Sequence, residues 1–243
     1  MSGRSGVRVA LDLARAGNFP SVASNVLAAL VLARGGAWPS PAEAGLAGLA
    51  GAAGLLAYAG GATLNDVADA AFDARHRPAR PIPSGALSRR GAALLGGVEL
   101  ALGLALLALL GAAWFWVAGL AAVILTYDWV HKRWAGSVVL MAGCRIFLGL
   151  AVASGAGWTG GAAVAGWAAA LGVYIVGLSL LARREYVPGA PVAWLSRRVG
   201  QLLAGIPLID AAALVVVNAP GPALACALAV PLGRVAQRLA AAD

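Results

Sequence analysis

Charge is scarce in this chain. Only 12% of its 243 residues are Asp, Glu, Lys or Arg, while 61% are hydrophobic. A soluble domain carries about 25% charged residues, so a water-facing surface of ordinary size is excluded and lipid is the expected solvent. Cysteine is scarce as well. Cys144 and Cys226 lie in apolar runs with no CxxC or Cys/His spacing, which argues against a disulfide framework and against zinc. Histidine is limited to His76 and His131. Residues 1–20 hold charges but no apolar run ending in a small-residue cleavage site, so no cleaved signal peptide is expected. Low-complexity linkers and long polar stretches are missing, and residues 1–243 read as one transmembrane domain.

What is present is a series of apolar runs near the 20 or so residues that a spanning helix needs. Eight are expected, at 17–34, 44–66, 90–111, 112–130, 134–155, 160–182, 198–218 and 221–240. Glycine is abundant, at 33 residues, and small residues let helices approach closely where no hydrophobic force drives them together. The fold class is therefore all-α, a polytopic bundle of about eight spans. With the N-terminus inside, 16 of the 18 basic residues fall on the cytoplasmic side. Arg34 falls outside, and Arg145 lies within a span. This bias is the positive-inside pattern and predicts an N-in, C-in integral protein of a bacterial-type cytoplasmic (inner) membrane. It also accounts for the net charge of +8 without a nucleic-acid partner.

The informative segment follows the second span. Residues 65–73 read NDVADAAFD, an NDxxDxxxD pattern. At 100° per residue, Asp66, Asp69 and Asp73 fall within about 60° of one another, with Asn65 beside Asp69. Like charges packed so closely at a membrane need a cation. Magnesium takes oxygen ligands, often one or two carboxylates plus phosphates and waters. The bland alternative is an acidic helix end paired with nearby arginines. Next comes RPARPIPSG at 77–85, in which prolines impose a stiff, non-helical loop and arginine forks suit phosphate. A basic loop beside carboxylates points to a magnesium diphosphate with its active face cytoplasmic.

NDVADAAFD followed by RPARPIPSG resembles the first Asp-rich motif and following loop of the UbiA superfamily of intramembrane prenyltransferases. RAGNFP at 15–20, YDWVHKR at 127–133 and LLARRE at 180–185 are similar to the EboC-like subgroup. The resemblance implies a horseshoe of about nine helices around a central cavity. It implies magnesium-dependent prenyl transfer from a polyprenyl diphosphate to an aromatic or alcohol acceptor, with membrane lipids around. Asp66, Asp69 and Asp73 would hold Mg2+ together with Glu185, and Asn65, Arg77, Arg80, Arg183 and Arg184 would bind the diphosphate. Asp66, Asp69, Tyr127 and Lys132 would form the catalytic set. The chain departs from the pattern where a second Asp-rich motif should end the sixth span: Glu185 is the only acid there, beside Arg183 and Arg184. It also shows eight spans rather than nine, leaving room for a protein partner that completes the ring. The alternative these departures raise is a non-catalytic binder of lipid or prenyl diphosphate that assists export or assembly. The DGxxAR pattern of CDP-alcohol phosphatidyltransferases is absent.

Three further charges, Glu99, Arg145 and Asp210, lie about 17 Å inside their spans. Such groups usually pair, so Arg145 is expected to meet Glu99 or Asp210, more as a clamp between helices than as a floor for substrate. His131 is expected near Tyr127 and Asp128. Trp114, Trp116, Trp158 and Trp167 read as aromatic-belt anchors.

Overall fold

The computed structural model describes residues 5–241. Among these residues there are ten α-helices and no strand. They are α1 (Gly6–Leu13), α2 (Phe19–Ala33), α3 (Ala44–His76), α4 (Arg89–Leu109), α5 (Trp114–Val130), α6 (Ser137–Gly155), α7 (Ala162–Arg183), α8 (Val192–Gly205), α9 (Pro207–Val216) and α10 (Pro220–Leu239). Each of the eight expected spans falls on a helix, the seventh on the α8–α9 pair. Among the described residues six segments are long and apolar enough to cross a membrane; α5, with 17 residues, is a shorter apolar helix, and α10, expected as the eighth span, is not among the six.

Two helices extend beyond the expected span edges. The helix of the second span continues past Asp66, as the helical face read at 65–73 requires: α3 runs 33 residues, about 50 Å at 1.5 Å per residue. That exceeds the roughly 30 Å hydrocarbon core, so its last turns carry the Asp cluster beyond the lipid. Helix continues because 67–76 contains good helix formers and its acids find counter-charges. It ends at Arg77 (φ −141°, ψ 57°), where Pro78 disfavours helical backbone at the preceding residue. The seventh span begins earlier, at Val192. Leu195 and Val199 are buried while Arg197 and Arg198 stay exposed, an i, i+4 pattern that makes an amphipathic helix of an expected loop.

Small residues set the closest packing. A Cβ on Gly60 would strike the backbone of Gly96 and Leu100, and a Cβ on Gly103 would strike the backbone of Ala57. The α3–α4 pair is thus a backbone-to-backbone contact that only glycine permits. The hub of the bundle is α2, which packs against α3, α6, α7, α9 and α10.

Polar groups buried in the bundle tie these helices together. Asp210 is fully buried and accepts from Ser24 Oγ (2.6 Å), Asn25 Nδ2 (2.8 Å) and Trp167 Nε1 (2.8 Å). Arg145 donates to Asn25 Oδ1 (2.7 Å) and Ser21 Oγ (3.1 Å), with its guanidinium over the Tyr58 ring. The expected Arg145 pair is therefore indirect: Asn25 relays between Arg145 and Asp210. Glu99 takes no part, being bonded to Thr63 across the α3–α4 contact at 3.1 Å. Trp167, expected in an aromatic belt, is 2% exposed, because its N–H is needed by Asp210 in the interior. Trp114, at 78% exposed, fits the belt.

Candidate functional site

The last turns of α3 meet three other segments at one end of the bundle. Asp66 accepts from Arg15 Nη2 (2.8 Å) and Arg80 Nη1 (3.0 Å), and Asp73 accepts from the same Arg80 nitrogen at 3.0 Å. Asp69, three residues on from Asp66, faces α5 instead and meets His131 Nε2 (3.1 Å) and Lys132 Nζ (3.2 Å). All three carboxylates are buried, and Asn65 with them. The expected single face is therefore real, but its counter-charges come from two sides. The His131 ring stacks on Tyr127 and sets Nδ1 3.1 Å from the Tyr127 carbonyl oxygen, which fixes Nε2 toward Asp69. Lys132 lies 4.3 Å from the centre of the Phe72 ring.

Arg15 reaches Asp66 because its backbone is left-handed, φ 48° and ψ 48°. That conformation costs an ordinary residue about 1–3 kcal/mol and persists only where surroundings enforce it. Burial opposes the Arg15 charge, yet the Asp66 ion pair outweighs it and raises its pKa. Arg80 goes the other way: burial, then repulsion from Arg15, lowers its pKa. Arg80 Nη2 and Arg15 Nε are buried without hydrogen-bond partners. These two N–H groups are open to a further acceptor.

These groups border a cavity of about 560 Å³. Its body is apolar, with Leu120, Ile124, Leu148, Ile175, Leu178 and Ile206. Its charged end holds Asn65, Asp69, Arg77, Arg80, Tyr127, Asp128, His131, Lys132, Arg183 and Glu185. Arg145 and Tyr58 also border it. A long apolar chamber joined to a polyvalent cationic rim suits an amphiphile with an anionic head.

The profile of the UbiA prenyltransferase family matches residues 22–241. The chain belongs to the UbiA prenyltransferase family. A 94-residue stretch is 40% identical to a digeranylgeranylglyceryl phosphate synthase of Haloquadratum walsbyi (strain DSM 16790 / HBSQ001). That stretch covers 39% of this chain and about a third (32%) of the relative's length. A solved structure concerning digeranylgeranylglyceryl phosphate synthase in membranes superimposes with a TM-score of 0.62. It covers 96% of this chain and 95% of that one at 14% identity, which is a likeness of fold.

Within this UbiA fold, the residues expected from sequence are mostly brought together. Asn65, Asp69, Arg77, Arg80, Tyr127, Lys132, Arg183 and Glu185 line the cavity. Asp66 sits behind the rim and borders a second, polar cleft with Arg8 and Arg77. Asp73 is held by Arg80. Arg184 is exposed and outside the lining, because the helix ends at Arg183 and the chain turns. Arg183 donates to the His131 carbonyl oxygen and Ser137 Oγ, both at 3.3 Å, and so ties α7 to the α5–α6 connection. Asp66, Asp69, Asp73 and Glu185 do not converge as a cage: no three His, Cys, Asp or Glu side chains do so among the described residues. The sequence reading omitted Arg15 and Asp128 from the site. Arg15 was legible only as a basic residue preceding the first span; its left-handed backbone was not. Asp128 carried a signal, since an acid in the last turn of a span is a functional candidate by default.

Proposed function

We propose that this UbiA-family chain is an intramembrane prenyltransferase that takes a prenyl diphosphate as donor. The observation that carries this is the joining of one apolar chamber to a rim that holds Asn65 and Asp69 alongside Arg77, Arg80, Lys132 and Arg183. The chamber takes the isoprenoid tail and the rim takes the diphosphate. Arg80 has an unpartnered Nη2 to offer, and its fork geometry suits a phosphate oxygen.

Magnesium fits this donor set. Asn65, Asp66, Asp69 and Asp73 would each bind a cation through oxygen, and Mg2+ needs just one or two carboxylates when phosphate and water complete its shell. The buried Asp128 Oδ2, which lacks a partner, is a further acceptor that a cation would satisfy. Bound there, the metal supplies charge neutralisation for the departing diphosphate. The protein's own contribution is positioning and electrostatics. Arg15 and Arg80 hold the Asp66 and Asp73 carboxylates in register. His131 fixes Asp69. Arg77, Arg80 and Lys132 stabilise the negative charge that gathers on the leaving group as the allylic C–O bond ionises. Leu120, Ile124 and Ile175 keep water from the allylic carbon, so the acceptor captures it first. Tyr127 lines the charged end of the cavity, where it would sit near the diphosphate.

The acceptor is an alcohol or an aromatic compound. The match to a digeranylgeranylglyceryl phosphate synthase makes a prenylated glycerol phosphate the first alcohol to test. The basic connections share the rim's end of the bundle, which supports a cytoplasmic active face.

The test is transfer of labelled geranylgeranyl, farnesyl and geranyl groups to a panel of alcohols and phenols in proteoliposomes, with and without magnesium. Labelled product from wild type, and none from Asp69→Asn, is expected. Tight magnesium-dependent donor binding by wild type with no product from any acceptor would return the reading to a non-catalytic binder.

A further inference from the structure

Asp128 has the least satisfied carboxylate in the site. It lies in the last turn of α5 and lines the cavity beside Asn65 and Asp69 of α3. Its Oδ2 is buried without a hydrogen-bond partner. Its Oδ1 receives only the Asn65 amide at 3.3 Å, in the orientation where that amide's oxygen also accepts from Arg15 at 3.3 Å. Arg15 is already engaged with Asp66 at 2.8 Å. Lys132 and His131 both point to Asp69.

A half-satisfied carboxylate next to other carboxylates in a low-dielectric setting is costly. Violations of this kind are kept where function needs them. The end of α7 offers Arg183, the exposed Arg184 and a single acid, Glu185. We propose that Asp128 is a substrate-site ligand: α5, rather than α7, supplies the second-wall carboxylate that faces a divalent cation carried in with the diphosphate. This rests on the magnesium-diphosphate reading given above. Asn65, held between Asp128 and Arg15, positions the Asp128 side chain in the cavity lining until the cation arrives. A structural role makes the opposite forecast, for an Asp128 that merely clamps Asn65 stabilises the empty protein.

The experiment compares wild type, Asp128→Asn and Asp128→Glu, purified in detergent. Two quantities are read: the ligand-free melting temperature, and Mn2+ affinity by electron paramagnetic resonance with and without inorganic diphosphate. Asp128→Asn is expected to melt no lower than wild type without ligand, because its Oδ2 has no hydrogen bond to lose. It is expected to lose at least about 10-fold in Mn2+ affinity measured with diphosphate, while metal-free diphosphate binding stays within about 2-fold. Asp128→Glu should recover part of the Mn2+ affinity. A lower ligand-free melting temperature for Asp128→Asn, including failure to fold, with no Mn2+ affinity regained in Asp128→Glu over Asp128→Asn, overturns the proposal in favour of the clamp. Wild type that binds Mn2+ with diphosphate equally well as Asp128→Asn overturns it while leaving the proposed function standing. No metal-dependent diphosphate binding by wild type removes the proposed function itself.

Discussion

Replacing Arg80 with Gln probes the rim most sharply as a structural element. Arg80 Nη1 lies 3.0 Å from both Asp66 and Asp73, and the side chain is 13% exposed against 6% and 2% for its partners. Breaking a buried pair by removing one member costs about 3–5 kcal/mol, mostly for the charge left behind. Here Asp66 keeps Arg15 at 2.8 Å, so the uncompensated charge is Asp73. Water reaching the vacated space trims the penalty, and about 3 kcal/mol is expected, roughly a hundredfold in the folding constant. Unfolding in mixed detergent followed by far-UV circular dichroism measures it. Adding Asp73→Asn to Arg80→Gln removes the stranded charge and should recover about 2 kcal/mol. A loss below about 0.5 kcal/mol for Arg80→Gln, or no recovery in the double variant, refutes the claim that Arg80 holds the Asp cluster.

Other outcomes follow from the same geometry. Gly103→Leu drives a side chain into the backbone of Ala57 and should cost more than about 2 kcal/mol, read from the same unfolding curves, whereas Gly97→Leu, with nothing near its Cβ, should be close to neutral. Trp167→Phe deletes one donor to the buried Asp210 carboxylate and should cost about 1.5–3 kcal/mol in melting experiments. Arg15→Gly relieves the left-handed backbone but frees Asp66 from one cation. Its donor affinity should therefore fall while stability changes less than for Arg80→Gln, as separate donor-binding and melting measurements would reveal.

The spans, the small-residue packing and the NDxxDxxxD face were legible because each rests on local periodicity or composition. Asp66, Asp69 and Asp73 sit where a 3.6-residue repeat puts them. What escaped were relations between distant segments. The indirect Arg145–Asn25–Asp210 relay depends on α2 standing between α6 and α9, which no spacing encodes. Trp167 looks like a belt residue until Asp210 is known to need its N–H. The partners of the Asp cluster were hidden as well, since Arg15, His131 and Lys132 reach it from elsewhere in the chain. Arg184 and Arg183 are neighbours in sequence, yet the turn after α7 sends one to the cavity and the other to solvent.

The most direct measurement of the central claim is release of inorganic diphosphate from geranylgeranyl diphosphate by purified protein, with magnesium present or chelated and an acceptor alcohol supplied. The account predicts acceptor-dependent release by wild type that stops on chelation and falls at least about 100-fold in Asp69→Asn. Release by Asp69→Asn at the wild-type rate, or wild-type release that persists after chelation, would contradict it.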